Sequence, residues 1–194
     1  MTAIALLCGV VTFPGTQEPD AIRKQLGYIA CMLRNEQSDD ISAIRSVHTA
    51  AFPAADEADL VERLRDGGNL VISLVKVIDE QIVGHIAFSP VTIEGSDVVG
   101  LGLAPVAVKP DHQRHGFGRE LIEAGLLACR EHDAPFVVVL GEPAYYTPFG
   151  FQPATNFDLD NEYGVGDEFM ALEFTLGSLS GGTAKYCQQF QELA

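Results

Sequence analysis

The feature that most constrains the fold is the stretch from Val106 to Arg130. Val106-Ala107-Val108 is an apolar run that stops at Lys109-Pro110. A polar turn follows, then Gly116-Phe117-Gly118, then the amphipathic run Glu120-Leu121-Ile122-Glu123-Ala124-Gly125-Leu126-Leu127. This reads as a strand, a glycine-rich turn and a helix N-terminus. The first helical turn has free backbone N–H groups and the positive end of the macrodipole, so it suits a phosphate. Glycines at 116 and 118 allow positive φ and close approach of a ligand to the backbone. The charges agree. The chain has 12 Lys plus Arg against 27 Asp plus Glu, a net charge of −15, yet Lys109, Arg114 and Arg119 cluster here around one acid, Asp111. A local positive patch on an acidic molecule points to an anionic ligand.

Nucleotide-binding templates narrow the choice. A P-loop needs Gly-Lys-Ser/Thr, but Gly118 precedes Arg119-Glu120. A dinucleotide fingerprint needs a third glycine where Leu121 stands. The remaining pattern, Gln113-Arg114-His115-Gly116-Phe117-Gly118, resembles the Gln/Arg-x-x-Gly-x-Gly/Ala motif of the GNAT superfamily of acyl-CoA-dependent N-acetyltransferases. The resemblance implies that this turn cradles the pyrophosphate of acetyl-CoA. It also implies that the backbone of Val106, Ala107 and Val108 pairs with the pantetheine arm, and that amides from Val108 onward polarise the thioester carbonyl. The implied cofactor-binding residues are therefore Val106, Ala107, Val108, Gln113, Arg114, His115, Gly116, Phe117, Gly118 and Arg119, with Tyr146 added by a second motif.

That motif is Tyr146-Thr147-Pro148-Phe149-Gly150-Phe151. It is similar to the family's Tyr-x-x-x-Gly-Phe, whose tyrosine faces the CoA sulfur; on this alignment Tyr146, not Tyr145, holds the place. A phenol of ordinary pKa about 10 can hydrogen-bond to or protonate a departing thiolate. Gly141-Glu142-Pro143 departs from the asparagine that many members carry there. The amine's proton needs an acceptor, and no acid lies between Val98 and Val108. The remaining candidates are Glu142, His85 and water, with a helix cap and a hydrogen-bonded core histidine as the structural alternatives for the first two. Gly84-His85-Ile86-Ala87-Phe88-Ser89-Pro90-Val91, Pro143-Ala144-Tyr145-Tyr146 and Gly150 to Ala154 resemble segments of the YhbS-like subgroup of bacterial N-acetyltransferases. The reaction implied is direct attack of a primary amine, small or peptidic, on acetyl-CoA, without a metal. A non-catalytic acyl-CoA-binding or sensor domain is the alternative.

The rest of the chain fits one α/β (α+β) domain. Helices are expected from Ile41 to Phe52 and from Asp56 or Glu57 to Gly67. Strands are expected at Met32–Arg34, Leu70–Ile78, Gln81–Ile93 and Val98–Lys109, the last three as an antiparallel meander. Phe136-Val137-Val138-Val139-Leu140 is continuously apolar, as in a strand buried on both faces. The resemblance implies a mixed, mostly antiparallel sheet of six or seven strands with about four helices and a parallel central crossover. The helices at the front of the domain would border the acceptor, giving Phe52 either a substrate-wall or a core role. The domain is expected over 32–176. Residues 177–194 are a loop and tail, ending in a strand or short helix. Residues 1–31 are an extension, either from a start codon placed upstream of Met32 or an arm that packs on the core or a second subunit.

The acidity excludes nucleic acid or an anionic membrane as main partner and suits a cationic amine as well as plain solubility. Ile4 to Phe13 is too short to span a bilayer. Cys8, Cys31, Cys129 and Cys187 form no Cys-x-x-Cys pair, which implies neither zinc nor disulfide chemistry and a reducing cytoplasm. A monomer or a homodimer is expected.

Overall fold

The computed structural model describes residues 31–193; the extension expected over 1–31 lies outside the described residues except for Cys31. Strand β1 (Cys31–Asn35) leads into helices α1 (Ile41–Ala51) and α2 (Asp56–Asp66). The meander follows as β2 (Ile72–Ile78), β3 (Gln81–Ile93) and β4 (Val99–Val108). Helix α3 (Phe117–Glu131) crosses to β5 (Phe136–Leu140), after which come the one-turn helix α4 (Pro143–Tyr146) and strands β6 (Gln152–Pro153), β7 (Leu159–Asn161), β8 (Phe169–Glu173) and β9 (Gly182–Tyr186).

The main sheet order is β1-β2-β3-β4-β5-β8-β6, with β9 joining β3 to β7. The described strands number nine, and β6 and β7 are too short to carry a period-two signal. The crossover is the parallel pair β4–β5, as the apolar run at 136–140 implied. The tail ends in the short 3-10 helix Gln188–Leu193, one of the two forms expected there, and adds a strand at Gly182–Tyr186, part of which was expected as loop. Leu179 and Ala184 anchor it in the core.

Alternation along the strands separates two faces. Ile72, Leu74, Ile86, Phe88, Leu101 and Leu103 pack under Leu121, Ile122 and Leu126 of α3. On the other face Val75, Val77, Ile82 and Ala107 pack under Ile44 and Val47 of α1 and Val61 of α2. Burying each of these large aliphatic side chains contributes ~2 kcal/mol, which holds both helical layers to the sheet.

A buried polar chain runs through the second face. Arg65 Nε donates to Glu36 Oε1 at 2.7 Å, and the Ser73 hydroxyl donates to the other Glu36 oxygen. Ser73 Oγ lies 2.8 Å from His85 Nε2, and His85 Nδ1 lies 2.8 Å from His48 Nε2. With the serine proton on Glu36, His85 must donate from Nε2 and accept at Nδ1 from His48. Both imidazoles are then neutral, and both are fully buried. Burial brings His48 down to about 4. Burial, then the neighbouring His48 and Arg65, hold His85 well below its ordinary value.

This has a pH consequence. The unfolded chain protonates each histidine near pH 6.5, whereas the folded chain excludes the proton until far lower pH. Stability therefore falls as pH drops below about 6.5 and keeps falling toward 4. His48 alone accounts for ~3 kcal/mol over that window, from its shift to about 4. Urea unfolding between pH 7.5 and 5 should show a falling midpoint, and His48→Leu should flatten the dependence; a level wild-type profile would refute neutral buried histidines.

Candidate functional site

The site forms where β4 leaves β5. Their pairing covers only Leu101, Leu103 and the residue between, set against Val137 to Val139. Beyond it, β4 stays with β3, whose Gly84 to Ile86 pair with Val106 to Val108 across a register shift. Strand β5 stays with β8 as far as Leu140–Phe169. The strands splay, and cavities open on both sides of the gap.

One cavity, about 280 Å³, is the glycine turn. Val106, Ala107 and Val108 form its strand wall, and Gln113, Arg114, Phe117 and Gly118 form its loop wall. The turn is built by local bonds. Gln113 Nε2 donates to Val108 O at 3.0 Å, His115 Nδ1 lies 2.8 Å from Gln113 O, and His112 N–H donates to Lys109 O at 2.8 Å. Gly116 caps α3 at φ +88°, a conformation open to glycine at little cost. Arg114 also takes a positive φ, +63°, which turns the chain sharply ahead of the helix. The first helical bond is Glu120 N–H to Gly116 O at 3.0 Å, so the amides of Phe117, Gly118 and Arg119 precede it and are free of helical acceptors.

Charge is distributed unevenly over this turn. Arg119 pairs with Glu123 at 2.7 Å and lies over the Phe149 ring, and the buried Lys76 amine pairs with Glu120 and sits 5.1 Å from the Phe117 ring centre. Lys109 and Arg114 have no carboxylate partner among the described residues and remain available to an anion. His115, Gly116 and Arg119 shape the turn without lining the cavity.

Two lining residues escaped the sequence analysis. His112 brings a ring nitrogen that is buried and without a partner among the described residues. Tyr145 lines the cavity as well, and its hydroxyl sits 2.8 Å from where a Cβ on Gly118 would be. Tyr146, its neighbour, turns inward: it is 7% exposed, packs edge-on to Phe151, and its ring fills the space beside Gly141. Burial, then Tyr145, pushes the Tyr146 phenol up to about 12.

The second cavity, about 410 Å³, lies at the other side of the splay. Ala104 and Pro105 of β4 and Leu140 of β5 form its floor, immediately before the residues that line the first cavity. Glu57 and Leu60 come from α2, Tyr163 from the loop after β7, and Tyr186 and Phe190 from the tail. Sequence reasoning assigned none of these eight positions to a site, because they meet only in three dimensions.

The base candidates separate. Glu142 is exposed at the α4 N-cap, in chain order between Leu140 of one cavity and Tyr145 of the other. His85 lines neither; both its ring nitrogens are engaged on the α1–α2 face. Phe52 stacks on His48 with ring centres 6.0 Å apart and packs against the α1 cluster. A larger cavity of about 520 Å³ lies at the β1–β2 edge beside Glu36 and Arg65, away from the splay. No group of His, Cys, Asp and Glu among the described residues could hold a metal.

Residues 32–154 match the family model of the acetyltransferase (GNAT) domain. The uncharacterized N-acetyltransferase YhbS of Escherichia coli K12 is 35% identical over 163 residues, 82% of this chain and 98% of the relative. The crystal structure of YhbS in complex with CoA superposes with a TM-score of 0.80 at 33% identity, covering 84% of this chain and 93% of that one. A GNAT family acetyltransferase from Brucella melitensis, solved with acetyl-CoA, gives a TM-score of 0.71 at 35% identity, over 82% and 97% of the two chains.

The geometry of the turn makes a clear test. Gly118→Glu sets a carboxylate against Tyr145 and in front of the free amides, and should weaken acetyl-CoA binding at least a hundredfold by calorimetry without loss of the folded circular dichroism spectrum. Unchanged affinity would move the site elsewhere.

Proposed function

The chain belongs to the GNAT acetyltransferase family, and we propose that it transfers the acetyl group of acetyl-CoA to a primary amine in a single ternary complex. The observation that carries this is the adjacency of two cavities on one stretch of β4: Ala104-Pro105 lines one and Val106-Ala107-Val108 lines the other. An acyl donor in the glycine-turn cavity and an amine in the 410 Å³ cavity meet at the splay, and such positioning supplies much of the rate.

In this reading the pyrophosphate lies on the amides of Phe117, Gly118 and Arg119, with Arg114 and Lys109 supplying charge. Gln113, His115 and Gly116 fix the turn. The pantetheine arm takes the edge of β4 that β5 leaves unpaired after Leu103. Strand amides from Val108 onward polarise the thioester carbonyl. The amine nitrogen bonds to the carbonyl carbon and the carbon–sulfur bond breaks. The bound ammonium gives up one proton before attack, which we assign to Glu142 through water, and a second proton leaves nitrogen to solvent as the amide forms. One proton reaches sulfur from solvent, while Tyr146 donates a hydrogen bond to the departing thiolate. A phenol raised to about 12 stays protonated across the physiological range, so it is a lasting donor rather than a strong acid. His85 serves the fold.

We take residues 32–176 as the catalytic domain, with the tail completing it, in a cytoplasmic protein that is a monomer or homodimer and acts on neither nucleic acid nor membrane. No helix among the described residues is long and apolar enough to cross a membrane. The acidity of the chain supports a cationic acceptor.

Thiol release with a panel of amines tests the proposal. Tyr146→Phe should lower kcat about a hundredfold and leave acetyl-CoA affinity within twofold, the size expected for loss of a group acting on the leaving atom. Tyr145→Phe should instead raise KM for acetyl-CoA. Acetyl-CoA binding with no thiol release from any amine, in wild type and variants alike, would favour a sensor domain.

A further inference from the structure

We propose that the 410 Å³ cavity beside Ala104 and Pro105 selects an apolar, preferably aryl-bearing, primary amine, with Glu57 holding its ammonium group. This rests on the acetyltransferase reading and names the class of acceptor.

The walls define the class. Leu60, Pro105, Leu140 and Phe190 supply aliphatic and aromatic surface, and the ring centres of Tyr186 and Phe190 lie 4.4 Å apart at a tilt of 44°. A polar or polycationic amine would lose hydration here without compensation, whereas a ring or short alkyl chain gains by burial. Among the lining residues Glu57 is the only carboxylate. It is half-buried on the first turn of α2 and has no cationic partner among the described residues. The neighbouring acids are engaged: Asp59 and Glu62 pair with Arg45 at 2.7 Å each. An unpaired carboxylate at the rim of an otherwise apolar chamber attracts a cation.

A second observation points to a ligand. The Tyr186 hydroxyl is buried and without a partner among the described residues, although its side chain is only 6% exposed and borders this cavity. Buried hydroxyls are normally satisfied, so this one leaves a hydrogen bond for a bound molecule to complete. Tyr186 and Phe190 both lie beyond residue 154, where the match to the family model ends. Part of the selecting surface thus comes from outside the segment that matches the family model.

The test uses the full-length protein saturated with CoA, which forms a ternary complex without turnover. Calorimetry would compare 2-phenylethylamine, 2-phenylethanol, which lacks the ammonium, and ethanolamine, which lacks the ring. The amine should bind at least tenfold more tightly than either. Glu57→Gln should remove the preference over 2-phenylethanol, and Phe190→Ala the preference over ethanolamine, each with CoA affinity unchanged. Equal affinity for the three probes, or a preference untouched by Glu57→Gln, with CoA bound normally, overturns the acceptor assignment while leaving acetyl transfer intact. Failure of the wild-type protein to bind CoA overturns both.

Discussion

The structure depends on a pairing that stops early. Strands β4 and β5 are hydrogen-bonded only between Leu101–Leu103 and Val137–Val139. Both are held on their outer sides, β4 by β3 and β5 by β8, so neither can swing back to close the gap. Pro105 lacks the N–H that would continue the ladder. The result is an interior strand edge with unpaired backbone groups from Ala104 to Val108. Buried amides and carbonyls without partners are costly, so such an edge calls for a ligand or water to complete it. A ligand with an extended chain of amides suits the need, because it can pair as a further strand would.

The two sides of this gap have opposite electrostatic character. Lys109 and Arg114 have no carboxylate partner among the described residues at the glycine turn, while Arg119 and Lys76 are neutralised by Glu123 and Glu120. On the other side the charged lining group is Glu57. The net charge of −15 attracts cations in general and opposes anions in general, so the local cations and the amides of α3 must overcome the background at one spot. In the proposed reaction that separation orients both substrates: the anionic end of one docks on the turn and the cationic end of the other enters from the opposite side.

The glycine turn was legible because it is local. Strand, turn, cap and helix lie within one continuous stretch, and each signal has a short-range cause: β-branched residues, a proline stop, Gly116 in a left-handed cap, apolar spacing in α3. The meander and the parallel crossover were legible for the same reason, since turn residues and a fully apolar run mark them. Residues set by packing were not. Tyr145 and Tyr146 are adjacent and chemically identical, and only α4 docking on Phe151 and Gly141 sends one inward and the other to the loop. His85 gave no sign that its partners would be His48 and Ser73, which come from α1 and β2. The strand at Gly182–Tyr186 was missed because glycines at 181 and 182, both with positive φ, read as loop though the second begins the strand that pairs with β3 and β7.

This difference has a functional logic. The proposed donor half of the site is built mainly from a contiguous segment, so few substitutions there leave its geometry intact. The proposed acceptor half is assembled from α2, the ends of β4 and β5, the loop after β7 and the tail. Its tail residues reach the site because β4 carries glycine where a side chain would collide: a Cβ on Gly102 would come within 2.2 Å of the Tyr186 ring. Asn69 Nδ2 then donates to Gln189 Oε1 at 3.0 Å and ties the tail back to the end of α2. The tail is fixed at two points, one on the sheet and one on the helix layer, and Tyr186 and Phe190 fall beside or between them. Changing those two side chains alters the chamber's shape and polarity without moving the β4 edge or the glycine turn. On the proposed reading, the acceptor can therefore be respecified while the thioester end stays in place.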